Sequence, residues 1–129
     1  MSYELVIKEH HLDTFGHVNN AVYLQLFEEA RWEFITSRGY GLKEVVKFQK
    51  GPVILEANIK FLKELKLRET VKITFETLPP KGRIIQIKQQ MIKSNGDVSS
   101  ELIVTIGFFD LQQRKLIAPS TEWLKVLNV

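Results

Sequence analysis

The sequence of 129 residues contains no cysteine. This absence excludes a disulfide framework, a cysteine nucleophile and a metal site built from thiolates. It also fits a reducing compartment, and we therefore expect the protein to be cytoplasmic.

Long apolar runs are missing as well. No stretch approaches the roughly 20 apolar residues that a membrane-spanning helix needs. Residues 1–9 include Glu4, Lys8 and Glu9 and contain no apolar core of the kind found in signal peptides. We expect no membrane partner.

Motifs for nucleotides, nucleic acids and metals are also absent. Neither the G-x-G-x-x-G pattern nor the P-loop pattern occurs. The net charge of +3 is spread along the chain, and the densest basic stretch, residues 60–68, is interrupted by Glu64, so we expect no nucleic-acid partner. His10 and His11 are adjacent, but neighbouring strand residues point apart and no third ligand is evident. We expect no metal site.

One long helical pattern is present, and it covers residues 20–38. Its apolar residues fall at intervals of four, three and four and form a single stripe: Tyr23, Phe27, Ala30 and Phe34. Asn19 or Asn20 can cap the start of this helix, because both side chains accept hydrogen bonds from free backbone donors. Gly39 provides the usual end.

Most of the remaining sequence alternates between apolar and polar residues, which is typical of strands. Residues 3–9 predict a first strand, and residues 41–48 a short helical turn. The later alternating faces comprise Leu55, Ala57, Ile59 and Phe61; Val71, Ile73 and Phe75; Ile85, Ile87 and Met91; and Val98, Leu102, Val104, Ile106 and Phe108.

Turn sequences separate these strands. Pro79-Pro80-Lys81-Gly82 lies before one of them, and Asn95-Gly96 is the strongest short hairpin signal. Pro119-Ser120-Thr121 ends the sheet and caps a short helix that ends near Leu127. One strand, one long helix and then four or five hairpin-connected strands predict an α+β domain over residues 1–129. In this fold a curved antiparallel sheet of five or six strands wraps around one central helix.

The segment from Asp13 to Tyr23 contains the residues most suited to catalysis. Aspartate is scarce, and the other two, Asp97 and Asp110, lie where turns are expected. Asp13 precedes a long helix, whose N-terminus offers free N–H groups and a partial positive charge. A carboxylate beside such donors can attack a carbonyl or activate water while the donors hold the developing oxyanion. Thioester hydrolysis requires both parts.

This segment, continued by Leu24, Phe27-Glu28, Ala30 and Arg31, resembles the opening of the hotdog-fold thioesterases. Among these, the 4-hydroxybenzoyl-CoA and bacterial acyl-CoA thioesterases are similar, and acyl-carrier-protein thioesterases share the His-Val-Asn-Asn run. The specific match covers about two dozen residues, and the order of elements agrees over nearly the whole chain.

The resemblance implies that Asp13 is the catalytic carboxylate and that the backbone N–H of Asn20 binds the oxyanion. His17, Asn19 and Asn20 depart from the mainly apolar residues of the 4-hydroxybenzoyl-CoA enzymes, which favours a general acyl group over an aromatic one. Further candidates at the site are the substrate-binding residues Gly16, Val18, Asn19, Tyr23, Asn58 and Phe61.

Two other side chains have competing interpretations. His17 is either a general base or, as we favour, a residue that hydrogen-bonds across the helix start. Glu28 is either a helix carboxylate near the site or, more commonly at this spacing, the partner of Arg31 in an ion pair.

The resemblance also implies that no cofactor is needed, that an acyl-CoA is the substrate, and that the chain forms a homodimer or homotetramer with active sites at the dimer seam. Three alternatives remain open at this point: hydrolysis of acyl-carrier-protein thioesters, a hydratase or dehydratase that pairs Asp13 with His17, and a non-catalytic acyl-CoA-binding module.

Overall fold

The computed structural model describes residues 2–129. Its helices are α1 (Asn20–Ser37), α2 (Leu42–Phe48) and α3 (Thr121–Leu127). Its strands are β1 (Ser2–Val6), β2 (Lys50–Phe61), β3 (Thr70–Thr74), β4 (Glu76–Thr77), β5 (Ile85–Lys93), β6 (Val98–Asp110) and β7 (Lys115–Ile117).

The strands form one antiparallel sheet in the order β1-β3-β5-β6-β2. Two short strands are added to this path, because β4 pairs with β5 and β7 pairs with β6. The α+β hotdog arrangement is therefore confirmed, with five main strands and two short ones. The order also leaves β1 and β2 at the two edges of the sheet.

Helix α1 packs its predicted stripe into the core. Tyr23, Phe27, Ala30 and Phe34 are all buried, and Phe27 has no exposed surface. The ring of Phe34 lies 5.1 Å from that of Phe75, where the helix meets the sheet. Each large side chain buried in this way contributes about 1.5–3 kcal/mol. This packing fixes the direction of α1, and with it the place where its N-terminus emerges.

A bulge at Leu55 interrupts the alternation of β2. Ile54 and Glu56 pair with consecutive residues of β6, so Leu55 is an extra residue. Its side chain lies over Gly107, where an added Cβ would come within 3.1 Å of the Leu55 Cδ1 atom. The prediction of one shared face is therefore wrong for Leu55. The other three residues share the helix-facing side, because they pair with Val104, Leu102 and Ser100 of β6: Ala57, Ile59 and Phe61.

The chain leaves β1 earlier than the sequence predicts. The strand ends at Val6, and Glu9–His11 forms a 3₁₀ turn in which the Lys8 N–H donates to Nδ1 of His11 at 2.9 Å. Consequently His10 and His11 are not strand residues pointing apart: their ring centroids are 4.1 Å from each other.

A hydrogen bond between β1 and α1 is expected to make the fold less stable at alkaline pH. The Tyr3 hydroxyl donates to Oε2 of Glu29 at 2.6 Å, and this bond raises the pKa of Tyr3 to about 12. Because the pKa is higher in the folded chain than the ordinary value of 10.0, the bond's contribution is complete below pH 10 and is lost as the pH rises towards 12.

We expect wild-type protein to lose more unfolding free energy than Tyr3→Phe between pH of about 9 and about 11.5, as measured by urea titration. Tyr23 and Tyr40, whose pKa values burial also raises, are unchanged in the variant, so the difference reports Tyr3 alone. Parallel pH dependence in the two proteins would contradict the assignment.

Candidate active site

Backbone hydrogen bonds between its two ends close the loop that holds Asp13. Leu12 and Val18 form a β-bridge, and between them the Asp13 N–H donates to the His17 carbonyl at 2.8 Å. Gly16 turns the chain with φ of 78°, a conformation that favours glycine. An added Cβ at Gly16 would meet nothing within 4 Å in the described chain. The backbone angle, rather than close approach of a neighbour within this chain, accounts for the glycine.

One oxygen of the Asp13 carboxylate is fixed by this loop. Its Oδ1 accepts hydrogen bonds from the N–H groups of Phe15 at 2.9 Å and His17 at 3.2 Å. Within residues 2–129, Oδ2 accepts none, and the side chain is half-buried. The loop therefore holds the carboxylate in one orientation while its second oxygen stays available for chemistry.

The start of α1 lies directly after this loop, and Asn19 is its cap. The Asn19 side chain accepts from the Ala21 N–H at 2.9 Å, and the Asn19 carbonyl accepts from Val22 and Tyr23 at 3.0 and 3.2 Å. The Asn20 N–H has no acceptor in the described chain. It is thus a free donor at the positive end of an 18-residue helix, as an oxyanion site requires.

The ring of His17 contacts Glu64, a partner that the sequence does not predict. Its Nε2 lies 3.1 Å from Oε2 of Glu64, and both side chains are more than half exposed. In the sequence, Glu64 interrupts a basic stretch and carries no other signal. The ring of His17 therefore contacts the segment after β2 rather than the helix start, while its backbone N–H donates to Asp13.

Two aromatic side chains meet beside the first turn of α1. The rings of Tyr23 and Phe61 are 5.0 Å apart and arranged edge to face, and Phe61 is 49% exposed. Burial raises the pKa of the Tyr23 phenol, so the hydroxyl is neutral at ordinary pH. The contact between these two rings places the end of β2 beside the start of α1.

Two predicted substrate-binding residues, Val18 and Asn58, are not exposed on the same face as Phe61. Val18 is buried in the hydrophobic core and is 5% exposed. Asn58 pairs with Ile103, on the opposite side of the sheet from Phe61 and the helix. The structure does not bring Asn58 together with Tyr23 and Phe61 in this chain.

Glu28 and Arg31 do not form the expected ion pair among the described residues. Instead Nη1 of the buried Arg31 donates to Oε1 of Gln89 at 3.0 Å, and Nε2 of Gln89 donates to the Phe27 carbonyl at 3.1 Å. Burial lowers the pKa of Arg31, and the charge of Glu28 acts in the opposite direction. Glu28 lies eight residues beyond Asn20, or about 12 Å of helix rise, and so lies well away from the helix start.

The bond between Arg31 and Gln89 predicts a large stability effect. We expect Gln89→Met to lower the free energy of unfolding by about 3 kcal/mol, because it leaves a buried guanidinium without its acceptor. Gln90→Met is the matched control: its amide bonds the part-exposed Glu101, and we expect a loss below about 1 kcal/mol. Equal losses for the two variants in urea unfolding would show that the buried bond has no special weight.

Neither a membrane-spanning helix nor a metal cluster is found in the described part of the chain. No helix there is long and apolar enough to cross a membrane. No group of three or more His, Asp or Glu side chains between residues 2 and 129 is arranged to hold a metal ion.

One long helix packed against a curved antiparallel sheet is the hotdog fold. The chain belongs to the thioesterase-like superfamily, whose model matches residues 7–127. The predicted class of enzyme, a thioester hydrolase, is confirmed at this level.

Individual relatives agree with the family. The long-chain acyl-CoA thioesterase FadM of Escherichia coli is 28% identical over 129 residues, spanning 95% of this chain and 92% of that protein. The structure of YbaW, a probable thioesterase from Escherichia coli, is 26% identical with a TM-score of 0.87 over 98% of this chain and 96% of that one. SAV2348 from Staphylococcus aureus, solved in complex with CoA, shares the fold at 19% identity, with a TM-score of 0.92 over 98% of this chain and 80% of that one.

Proposed function

We propose that this protein hydrolyses long-chain acyl-CoA thioesters, with Asp13 as the catalytic carboxylate and the Asn20 N–H as the oxyanion donor. The observation that supports this most is that an unbonded carboxylate oxygen and an unbonded helix N–H group occur in one short segment. Asp13 keeps Oδ2 unbonded within the described residues, and the loop that fixes Oδ1 leads directly into the free donor of Asn20.

In the proposed reaction the thioester carbonyl oxygen accepts a hydrogen bond from Asn20. Charge that develops on this oxygen is stabilised by that donor and by the helix dipole. Asp13 either takes a proton from a water molecule that attacks the carbonyl carbon, or attacks that carbon itself to give an anhydride that water then cleaves. In both routes the carbon–sulfur bond breaks, the thiolate takes up a proton, and the acid is released.

The choice of substrate rests on the relatives and on the residues around the site. FadM is named for long-chain acyl-CoA, and it aligns along nearly the full length of this chain. The rings of Tyr23 and Phe61 provide an apolar wall beside the helix start. The lack of cysteine fits a reducing compartment, so we place the enzyme in the cytoplasm.

We further propose that two copies of the chain pair through β2. This strand is twelve residues long and lies at the edge of the sheet, with no strand on its outer side within residues 2–129. Long exposed edges are usually covered, and a twofold axis would pair β2 with its own copy. Ile54, Leu55 and Phe61 on this strand are each 45–49% exposed and would be covered in such a dimer.

Thiol release tests the reaction directly, because a protein without cysteine contributes no background. We expect free CoA to appear when the protein is incubated with hexadecanoyl-CoA in the presence of a disulfide reagent. An enoyl-CoA that loses its absorbance without releasing thiol would instead indicate a hydratase. Tight binding of acyl-CoA with no turnover at any chain length would indicate a binding module.

A further inference from the structure

His17 contacts Asp13 twice through its backbone. The His17 carbonyl accepts from the Asp13 N–H at 2.8 Å, and the His17 N–H donates to Oδ1 of Asp13 at 3.2 Å. A displacement of His17 therefore moves both the backbone and the carboxylate of Asp13. The orientation of the proposed catalytic carboxylate thus depends on what holds His17 in place.

The tip of the Asp13 loop has few contacts that fix it. Residues 14–17 are exposed, and Phe15 is 83% exposed. Among the described residues, the contact between His17 and Glu64 is the one polar side-chain contact that joins residues 13–17 to another part of the chain. An imidazole with its proton on Nε2 and an imidazolium both donate at this position. The distance of 3.1 Å from Nε2 to Oε2 of Glu64 is that of a hydrogen bond in either state.

The backbone at Glu64, in contrast, is anchored on both sides. The Lys63 N–H donates to the carbonyl of the buried Ser99 at 3.1 Å, and the Ser99 hydroxyl donates to the Lys63 carbonyl at 2.8 Å. Leu65 follows Glu64 and is 1% exposed in the core. The Glu64 carbonyl itself accepts from Nζ of Lys93 at 2.9 Å. Glu64 therefore offers the exposed loop a carboxylate whose backbone is fixed to the sheet.

We propose that Glu64 is a positioning residue that holds the Asp13 carboxylate in its catalytic orientation through His17. This inference rests on the proposed function. Glu64 fixes the ring of His17, and the backbone of His17 fixes Asp13, so Oδ2 of Asp13 keeps a constant place relative to the helix start. A misplacement of about 1 Å at a catalytic group can lower the rate by about 100-fold.

The loss of this contact should affect the reaction rather than the fold. The side chains of His17 and Glu64 are 58% and 55% exposed, and exposed ion pairs contribute little to stability. We therefore expect the midpoint of urea unfolding to be the same in Glu64→Ala and in wild-type protein. A change in kcat at constant stability then reports the position of the loop.

Glu64→Ala and Glu9→Ala are the matched pair for this test. Glu9 also forms an exposed ion pair, with Arg68, but that pair does not include residues 13–17. Both variants remove one negative charge, so both change the attraction of an anionic substrate in the same direction. For hexadecanoyl-CoA we expect kcat to fall by about fivefold or more in Glu64→Ala, with KM within about twofold of wild type. In Glu9→Ala both constants should stay within about twofold.

Two further variants identify the hydrogen bond itself. Glu64→Gln keeps an oxygen that accepts from Nε2 of His17, so we expect its kcat to stay within about twofold of wild type. The double variant that combines His17→Ala with Glu64→Ala should lose no more than His17→Ala alone, because the second change then removes a contact that is already absent.

Amide exchange measures the loop without any turnover. The N–H groups of Asp13, Phe15 and His17 all donate hydrogen bonds within the loop. We expect their exchange with solvent, measured by NMR, to be about threefold or more faster in Glu64→Ala than in wild type, because the loop opens more often. Exchange in Glu9→Ala should match wild type.

Faster amide exchange together with a lower kcat in Glu64→Ala, and neither change in Glu9→Ala, supports Glu64 as the positioning residue. Unchanged exchange overturns it, and so does an unchanged kcat in a protein that releases thiol. A raised KM at constant kcat, or a Glu64→Gln variant as slow as Glu64→Ala, also overturns it. Absent thiol release from wild type, with exchange faster in Glu64→Ala alone, overturns the proposed activity and leaves Glu64 as the residue that orders the loop.

Discussion

Replacing Asp13 with asparagine is expected to lower kcat/KM for acyl-CoA hydrolysis by about 10²–10⁴-fold, because the amide can neither accept the proton of an attacking water nor form an anhydride. The loop should survive the change. An asparagine oxygen can still accept the hydrogen bonds that Phe15 and His17 donate to Oδ1 of Asp13. The loss should therefore be a loss of chemistry with the fold intact, which circular dichroism and urea unfolding can check.

Asp110→Asn is the matched control for this experiment. Oδ1 of Asp110 also accepts two backbone bonds from the residues that follow, Gln112 and Gln113, both at 2.9 Å. The bond from Gln113, with that from Gln112, lowers the pKa of Asp110. Asp110 resembles Asp13 in that one carboxylate oxygen accepts two backbone N–H groups of the residues that follow. Asp110 is the last residue of β6 and does not precede a helix start, so we expect activity within about twofold of wild type. Equal activities for Asp13→Asn and wild type would remove Asp13 from the mechanism.

Removing the backbone donor at Asn20 is expected to have an effect of similar size. Proline at this position deletes the N–H, and proline is well accepted at the first residue of a helix. The preceding residue must then be extended, and Asn19 already is, with φ of −66° and ψ of 145°. We expect Asn20→Pro to lower kcat/KM by about 10²–10³-fold, the usual loss when one oxyanion donor is removed.

Asn20→Ala distinguishes the backbone of this residue from its side chain. The alanine variant keeps the N–H, and the cap of α1 is unaffected because Asn19 supplies it. We therefore expect Asn20→Ala to retain most of the activity that Asn20→Pro loses. Similar losses in the two variants would mean that the side chain of Asn20, not its N–H, acts on the substrate.

The parts of this molecule that depend on local pattern were predictable from sequence. The sequence predicts the end of helix α1 to within one residue, because its apolar stripe repeats with the helical period and Gly39 follows it with φ of 101°. The short helix α3 begins after Ser120, whose side chain accepts from the Trp123 N–H as a cap. The Asn95-Gly96 hairpin joins β5 and β6 as expected.

The parts that depend on distant contacts were not predictable. Arg31 bonds Gln89, 58 positions away, instead of its helical neighbour Glu28, because the sheet brings a buried acceptor to it. The partner of His17 is Glu64, which is 47 positions away in sequence. The two meet because the segment after β2 passes beside the Asp13 loop. Strand alternation also missed the bulge at Leu55, since pattern alone does not show where a register shifts.

The central claim is that the Asn20 N–H binds the carbonyl oxygen of a thioester positioned by the Asp13 loop. Infrared difference spectra of hexadecanoyl-CoA labelled with ¹³C at the carbonyl, bound to Asp13→Asn protein, test it most directly. We predict that the carbonyl band shifts to lower frequency on binding and that adding Asn20→Pro, but not Asn20→Ala, removes this shift. A bound carbonyl band that is the same with and without the Asn20 N–H would contradict the account.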